Sequence, residues 1–246
     1  MQIATREADV RVDGRPMRTV ITAPRPKGRY PGILLYSEIF QLTGPIRRSM
    51  ERLAGHGFVV AAPEIYHRIE PPGVVIPYDD AGRMRGSDDA ARTSVAQFDA
   101  DRTAALDLLD GQGDVATGQL GAIGFCIGGH LAFRAALDSR VQAAVCCYPT
   151  GLHDGRLGAD ADAGSLARAG DIRGQLLVVF GEADPHIPEE GRWRVAEALA
   201  AASARHRVAL YPGEHAFMRD EGSRFDAAAA DAVWRETVDL FRNAFS

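Results

Sequence analysis

The chain has 246 residues, of which 46% are hydrophobic and 25% charged, and 28 basic against 33 acidic side chains leave a net charge of −5. This composition excludes intrinsic disorder, a collagen-like repeat or a coiled coil as the main architecture, and the length suits one or two domains with a core that needs no disulfide staples. Basic stretches such as Arg47-Arg48 and Arg83/Arg85 are short and interrupted by acids, so no nucleic-acid partner is expected.

Residues 10–12 and 17–23 read as two strands around the turn Asp13-Gly14, a strong hairpin signal. Residues 32–36 form a short apolar run with the character of a buried strand. A helix is predicted over 45–56, where Ile46, Met50 and Leu53 share a face and Gly57 stands past the end. The next strand, 58–62, is stopped by Pro63. Residues 64–91 then break the rhythm. They are rich in Pro, Gly, Asp and Arg, lack periodicity and read as a long irregular loop, which is uncommon unless functional or disordered. Helical periodicity returns over 94–110, with Val95, Phe98, Ala105, Leu106 and Leu109 inward. Strand 119–125, helix 128–137 and strand 141–148 follow, then a polar loop over 150–171. Strand 176–180, helix 189–202, strand 208–211 and helix 226–243 complete the chain. From Gly32 onward strands alternate with helices, which implies a mostly parallel central sheet with helices on both faces. With no internal repeat or linker, residues 1–246 are expected to form a single domain. No run approaches the roughly 18 apolar residues of a membrane span, and residues 1–13 are charged rather than apolar, so neither membrane nor secretory signal is expected. The expected setting is cytoplasmic, with three reduced cysteines.

The sharpest motif is Gly124-Phe125-Cys126-Ile127-Gly128-Gly129-His130, which follows a strand and opens a helix. This is the layout of a nucleophile elbow, in which glycines let strand and helix approach while the central residue is held up at the sheet's edge. Cys126 occupies that position, where the helix N-terminus favours a thiolate and free N–H groups can hold an oxyanion. Taken alone, Cys126 could equally be a small buried hydrophobe. The Gly-rich turn lacks the lysine of a phosphate loop. Two later residues change the balance. Asp184 lies just past the strand 176–180, and His215 just past the last strand. Nucleophile, acid, histidine is the chain order of an α/β-hydrolase triad.

On Glu38-Ile39-Phe40, the Cys126 elbow, Asp184 and His215-Ala216-Phe217 with Arg219, the chain resembles the dienelactone hydrolase family, cysteine-dependent members of the α/β-hydrolase superfamily, from Gly32 to the final helix. The resemblance implies the α/β-hydrolase fold and hydrolysis of a small ester or lactone. It gives Cys126 as nucleophile, His215 as base, Asp184 as its orienting acid and Glu38 as the carboxylate that contacts the resting thiol. It further implies an oxyanion hole from the N–H groups of Ile39 and Ile127, a substrate-carboxylate site at Arg219, and pocket roles for Tyr148 and Phe40. A second substrate arginine is expected from the segment after Glu64, and Arg83 and Arg85 both stand there. No cofactor is implied. The remaining histidines, His67, His130, His153 and His186, show no ligand spacing, so no metal is expected. A monomer or small homo-oligomer is expected. Rival readings are a carboxylesterase or thioesterase on an unrelated acyl substrate, a redox or ligand-sensing thiol protein, and a catalytically silent binding domain. For the sensing reading, the resolving thiol would have to be Cys146 or Cys147, on a different strand and more readily read as core.

Overall fold

A computed structural model describes residues 1–246. The hairpin at Asp13-Gly14 is present, but its arms run much further than their apolar stretches, as β1 (Ile3–Val12) and β2 (Arg15–Pro24). The polar residues of β1 alternate outward on an edge strand, where no second face must be apolar. Six more strands follow: β3 (Tyr30–Tyr36), β4 (Val59–Pro63), β5 (Val115–Phe125), β6 (Val141–Cys147), β7 (Gln175–Gly181) and β8 (Arg205–Tyr211). They form one eight-stranded sheet in the order β1-β2-β4-β3-β5-β6-β7-β8. β1 and β2 are antiparallel, and every pair from β4 to β8 is parallel.

Helices α1 (Gly44–Gly55), α2 (Asp80–Ala91), α3 (Val95–Asp110), α4 (Ile127–Ala135), α5 (Glu189–Ala201) and α6 (Ala227–Ala244) complete the fold. Neighbouring residues in a strand point to opposite faces, and two glycines show what covers each. A methyl group on Gly32 of β3 would meet Leu109 of α3, whereas one on Gly121 of β5 would meet Phe241 of α6. α3 and α6 therefore cover opposite faces. The central strands are buried on both sides and read as apolar runs, as in Ile33-Leu34-Leu35 and Val178-Val179-Phe180. The architecture is the α/β-hydrolase fold.

One segment differs from expectation. Residues 64–91 are not wholly irregular, since α2 occupies their last turns. It lacks an apolar stripe, because its buried residues are Gly82, Gly86 and Asp89, so no periodicity betrays it. What supports it is local. Asp79 caps the N-terminus by accepting from the Gly82 N–H at 2.7 Å. The missing side chain of Gly86 lets α2 lie directly against the Ile39 carbonyl. The Ile76 N–H also donates to the Phe40 carbonyl at 3.1 Å, so the segment is fastened to the chain following β3.

Candidate active site

Five adjacent parallel strands deliver the chemistry-bearing residues at their C-terminal ends: Glu38 after β3, Cys126 after β5, Tyr148 after β6, Asp184 after β7 and His215 after β8. This is where an open α/β sheet leaves a crevice. The elbow between β5 and α4 explains why its glycines are obligatory. A methyl on Gly124 would run into the Gly128 carbonyl. One on Gly128 would enter the backbone of Tyr36 and Ser37, at the end of β3 and just past it, and one on Gly129 would approach the Cys147 carbonyl at the end of β6. The start of α4 is thus lowered between two neighbouring strands, and Cys126 is forced to φ 59°, ψ −122°. A non-glycine residue there is strained by about 1–3 kcal/mol, a cost met by the surrounding packing. Tyr148 (φ 38°) and Ala216 (φ 63°) carry left-handed backbone beside it.

A cavity of roughly 1070 Å³ opens over this edge, lined among others by Glu38, Ile39, Cys126, Ile127, His215 and Arg219. His215 is buried, and its Nδ1 lies 2.7 Å from Asp184 Oδ2. A carboxylate only accepts, so Nδ1 carries the proton and Nε2 is left for the cavity. Burial by itself would lower the His215 pKa. The charge of Cys126 and the Asp184 carboxylate outweigh it and raise the value to about 10. Asp184 is itself fixed from behind, its Oδ1 accepting from the His186 N–H at 2.8 Å. The Tyr148 ring packs edge-on to His215 at 5.2 Å between centroids. Tyr148 is fully buried and does not line the cavity, so it shapes the position of His215 rather than facing a ligand.

Ile39 and Ile127 line the same cavity as Cys126. The Ile39 N–H makes no hydrogen bond within the chain, and Ile127, the first residue of α4, has no acceptor in the preceding turn. Both donors are free for a developing oxyanion.

Glu38 is buried but does not hydrogen-bond to the thiol. Its Oε2 accepts from the Tyr78 hydroxyl at 3.1 Å and lies 3.6 Å from an Arg219 guanidinium nitrogen. Burial raises the Glu38 pKa, opposed by Arg219, His215 and Tyr78. Tyr78 also exchanges a 2.6 Å hydrogen bond with Thr43 Oγ1. The Arg219 guanidinium sits 4.2 Å over the Tyr78 ring centroid, a cation–π arrangement, and Phe40 packs edge-on against the same ring at 4.7 Å. Phe40 therefore does belong to the cavity wall. The Cys126 Sγ is met instead by Thr150 Oγ1 at 3.3 Å.

The two candidate arginines separate. Arg83 lines the cavity with a largely exposed side chain. Arg85 does not. Its guanidinium is paired with Glu70, Nε donating to Oε1 at 2.6 Å, which corrects the expectation of a substrate role at Arg85. The physical reason is α2, since residues two apart on a helix point to different sides.

Comparisons with known proteins give the family and the fold. A family model described as the dienelactone hydrolase family matches residues 17–245. A Saccharomyces cerevisiae protein provisionally named carboxymethylenebutenolidase is 37% identical over 225 residues, covering 87% of this chain and 82% of that protein. The carboxymethylenebutenolidase of Pseudomonas putida is 25% identical over 228 residues, covering 93% and 92%. Among solved structures, a protein provisionally described as a dienelactone hydrolase from Klebsiella pneumoniae superimposes with a TM-score of 0.82 at 24% identity, covering 98% of this chain and 99% of that one.

Proposed function

This chain belongs to the dienelactone hydrolase family, and on that footing we propose that it hydrolyses a small ester or lactone through an acyl-enzyme on Cys126. The observation that carries the reading is the convergence of Cys126, His215 and Asp184 on one cavity, with His215 bonded to Asp184 at 2.7 Å and its pKa raised, against burial, by Cys126 and Asp184. The thiolate attacks the carbonyl carbon, and the oxygen that gains the electron pair is received by the N–H groups of Ile39 and Ile127. Collapse breaks the ester C–O bond. The leaving oxygen takes the proton from His215 Nε2, and a thioester remains. Water then gives a proton to His215 as it attacks the thioester, releasing the carboxylic acid and restoring the ion pair. Asp184 keeps the imidazole oriented through both steps. No step calls for a cofactor.

Arg219 supplies the site for a substrate carboxylate. It is presented to the cavity on the Tyr78 ring and shares its charge with Glu38. Arg219→Ala removes a charge-assisted contact worth about 1.5–3 kcal/mol. Its kcat/KM for anionic esters relative to neutral ones is expected to fall roughly ten- to a hundred-fold. Loss on neutral esters measures the separate cost of leaving Glu38 buried without its counter-charge. An unchanged ratio rejects the carboxylate role. The direct test of the whole reading is a turnover screen of lactones and aryl esters, with and without a carboxylate. Turnover of enol lactones or activated esters is expected, and no turnover of either class rejects it.

A second reading, a carboxylesterase or thioesterase on a larger acyl substrate, is favoured by one observation. The cavity of roughly 1070 Å³ is just above the range for drug-sized ligands, about 300–1,000 Å³. The same screen, run with increasing acyl and alcohol length, separates the two. A redox role receives no such support, because Cys146 and Cys147 are both fully buried and burial pushes both thiols up.

No helix is long and apolar enough to cross a membrane.

A further inference from the structure

His130 closes the elbow motif, yet nothing in the reaction above uses it. It is fully buried in α4 and makes two hydrogen bonds whose directions are determined. Its Nδ1 lies 3.3 Å from the Thr150 carbonyl oxygen, and its Nε2 lies 2.7 Å from Ser165 Oγ. A carbonyl only accepts, so Nδ1 carries the proton. In a neutral ring Nε2 must then accept, so the Ser165 hydroxyl donates to it. The ring is neutral because burial, aided by the nearby Arg134 charge, lowers its pKa to about 3. Ser165 Oγ in turn accepts from Arg134 at 2.9 Å. Arg134 is anchored on Asp99 by a 2.9 Å bond from Nε and on the Ala163 carbonyl by a 2.9 Å bond from its terminal nitrogen. Every donor in this chain from Arg134 to the Thr150 carbonyl faces an acceptor.

Thr150 is where the chain ends and the nucleophile begins. Its N–H donates to the Cys126 carbonyl at 3.2 Å, and its hydroxyl is 3.3 Å from Cys126 Sγ. Once the sulfur is a thiolate, only the hydroxyl can donate across that contact.

We propose that the Thr150 hydroxyl is a catalytic group that donates to the Cys126 thiolate, and that His130, Ser165 and Arg134 are positioning residues that hold it there. The inference rests on the reading of Cys126 as nucleophile. It assigns the resting contact of the sulfur to a hydroxyl, which leaves Glu38 free to serve Arg219 and Tyr78.

The experiment measures ester turnover and iodoacetamide alkylation of Cys126 at neutral pH in Thr150→Val and Thr150→Ser. Valine preserves shape and removes the donor; serine keeps the donor. Loss of one hydrogen bond to a charged group predicts a fall of about ten-fold or more in kcat/KM and in alkylation rate for Thr150→Val, with Thr150→Ser largely restoring both and the melting temperature unmoved in either. His130→Asn keeps an amide N–H for the Thr150 carbonyl but loses the acceptor for Ser165, so its rates are expected to fall between those of the parent and Thr150→Val, and His130→Leu is expected to behave like Thr150→Val. Should His130→Leu fail to fold, the comparison of valine with serine decides alone. Thr150→Val with both rates within about two-fold of the parent overturns the proposal. So does a loss of turnover with unchanged alkylation, which would place the hydroxyl on the substrate. Cys126→Ala run alongside separates the two levels: if it retains turnover, the nucleophile assignment itself has failed.

Discussion

Replacing Cys126 by alanine is expected to reduce ester turnover by about 10⁴-fold or more, the scale seen when the nucleophile of a triad is removed. The reason is local. No other nucleophilic side chain occupies the turn between β5 and α4, and the unbonded N–H groups of Ile39 and Ile127 belong to residues that line the same cavity. Alanine adopts the same left-handed backbone as cysteine at the same cost, since both carry a Cβ, so the fold should survive. The charge that helps to raise His215 to about 10 also disappears. The imidazole then titrates at lower pH, with Asp184 alone acting against burial. Steady-state kinetics with a thermal melt on the same sample check the prediction. Turnover within ten-fold of the parent at an unchanged melting temperature would refute it.

Asp184→Asn carries the second large effect. The carboxylate is fully buried, accepts from His215 at 2.7 Å and from the His186 N–H at 2.8 Å. Asparagine preserves the shape, but an amide can present an N–H toward Nδ1 and so favour the wrong tautomer. In a triad that exchange costs about 10⁴-fold in kcat. A cysteine thiol ionises far more readily than a serine hydroxyl, so a loss of about 10²–10³-fold is expected, below that reference. Asp184 is also one of the groups that raise His215. Without it, the protonated imidazole that partners the thiolate is lost at lower pH. Alkylation of Cys126 near neutral pH should therefore slow together with kcat. A kcat unchanged within three-fold would show that another group orients the ring.

The legible parts of this site were those where backbone geometry dictates residue type. Gly124 and Gly128 each fill a place where a side chain would strike backbone, so the elbow is written in the residues themselves. Asp184 and His215 could be placed because a loop just past a parallel strand is where such a sheet presents function. The missing parts were those decided by tertiary contact. α2 has no apolar face to read, being held by the Asp79 cap and by the approach of Gly86 to Ile39. With that segment taken for a loop, Arg83 and Arg85 were indistinguishable; as a helix it turns one to the cavity and the other to Glu70. Tyr78 and Thr150 are hydroxyl residues on connecting segments, with no spacing that points to Glu38 or to the sulfur.

The most direct measurement is the covalent intermediate itself. The protein is mixed with an activated aryl ester, quenched in acid within the first turnover and analysed by intact mass and peptide mapping. The mechanism predicts one acyl group per chain, on the peptide containing Cys126, released by hydroxylamine as a thioester would be and absent in Cys126→Ala. A stoichiometric acyl group on any other residue, with turnover intact, would contradict it.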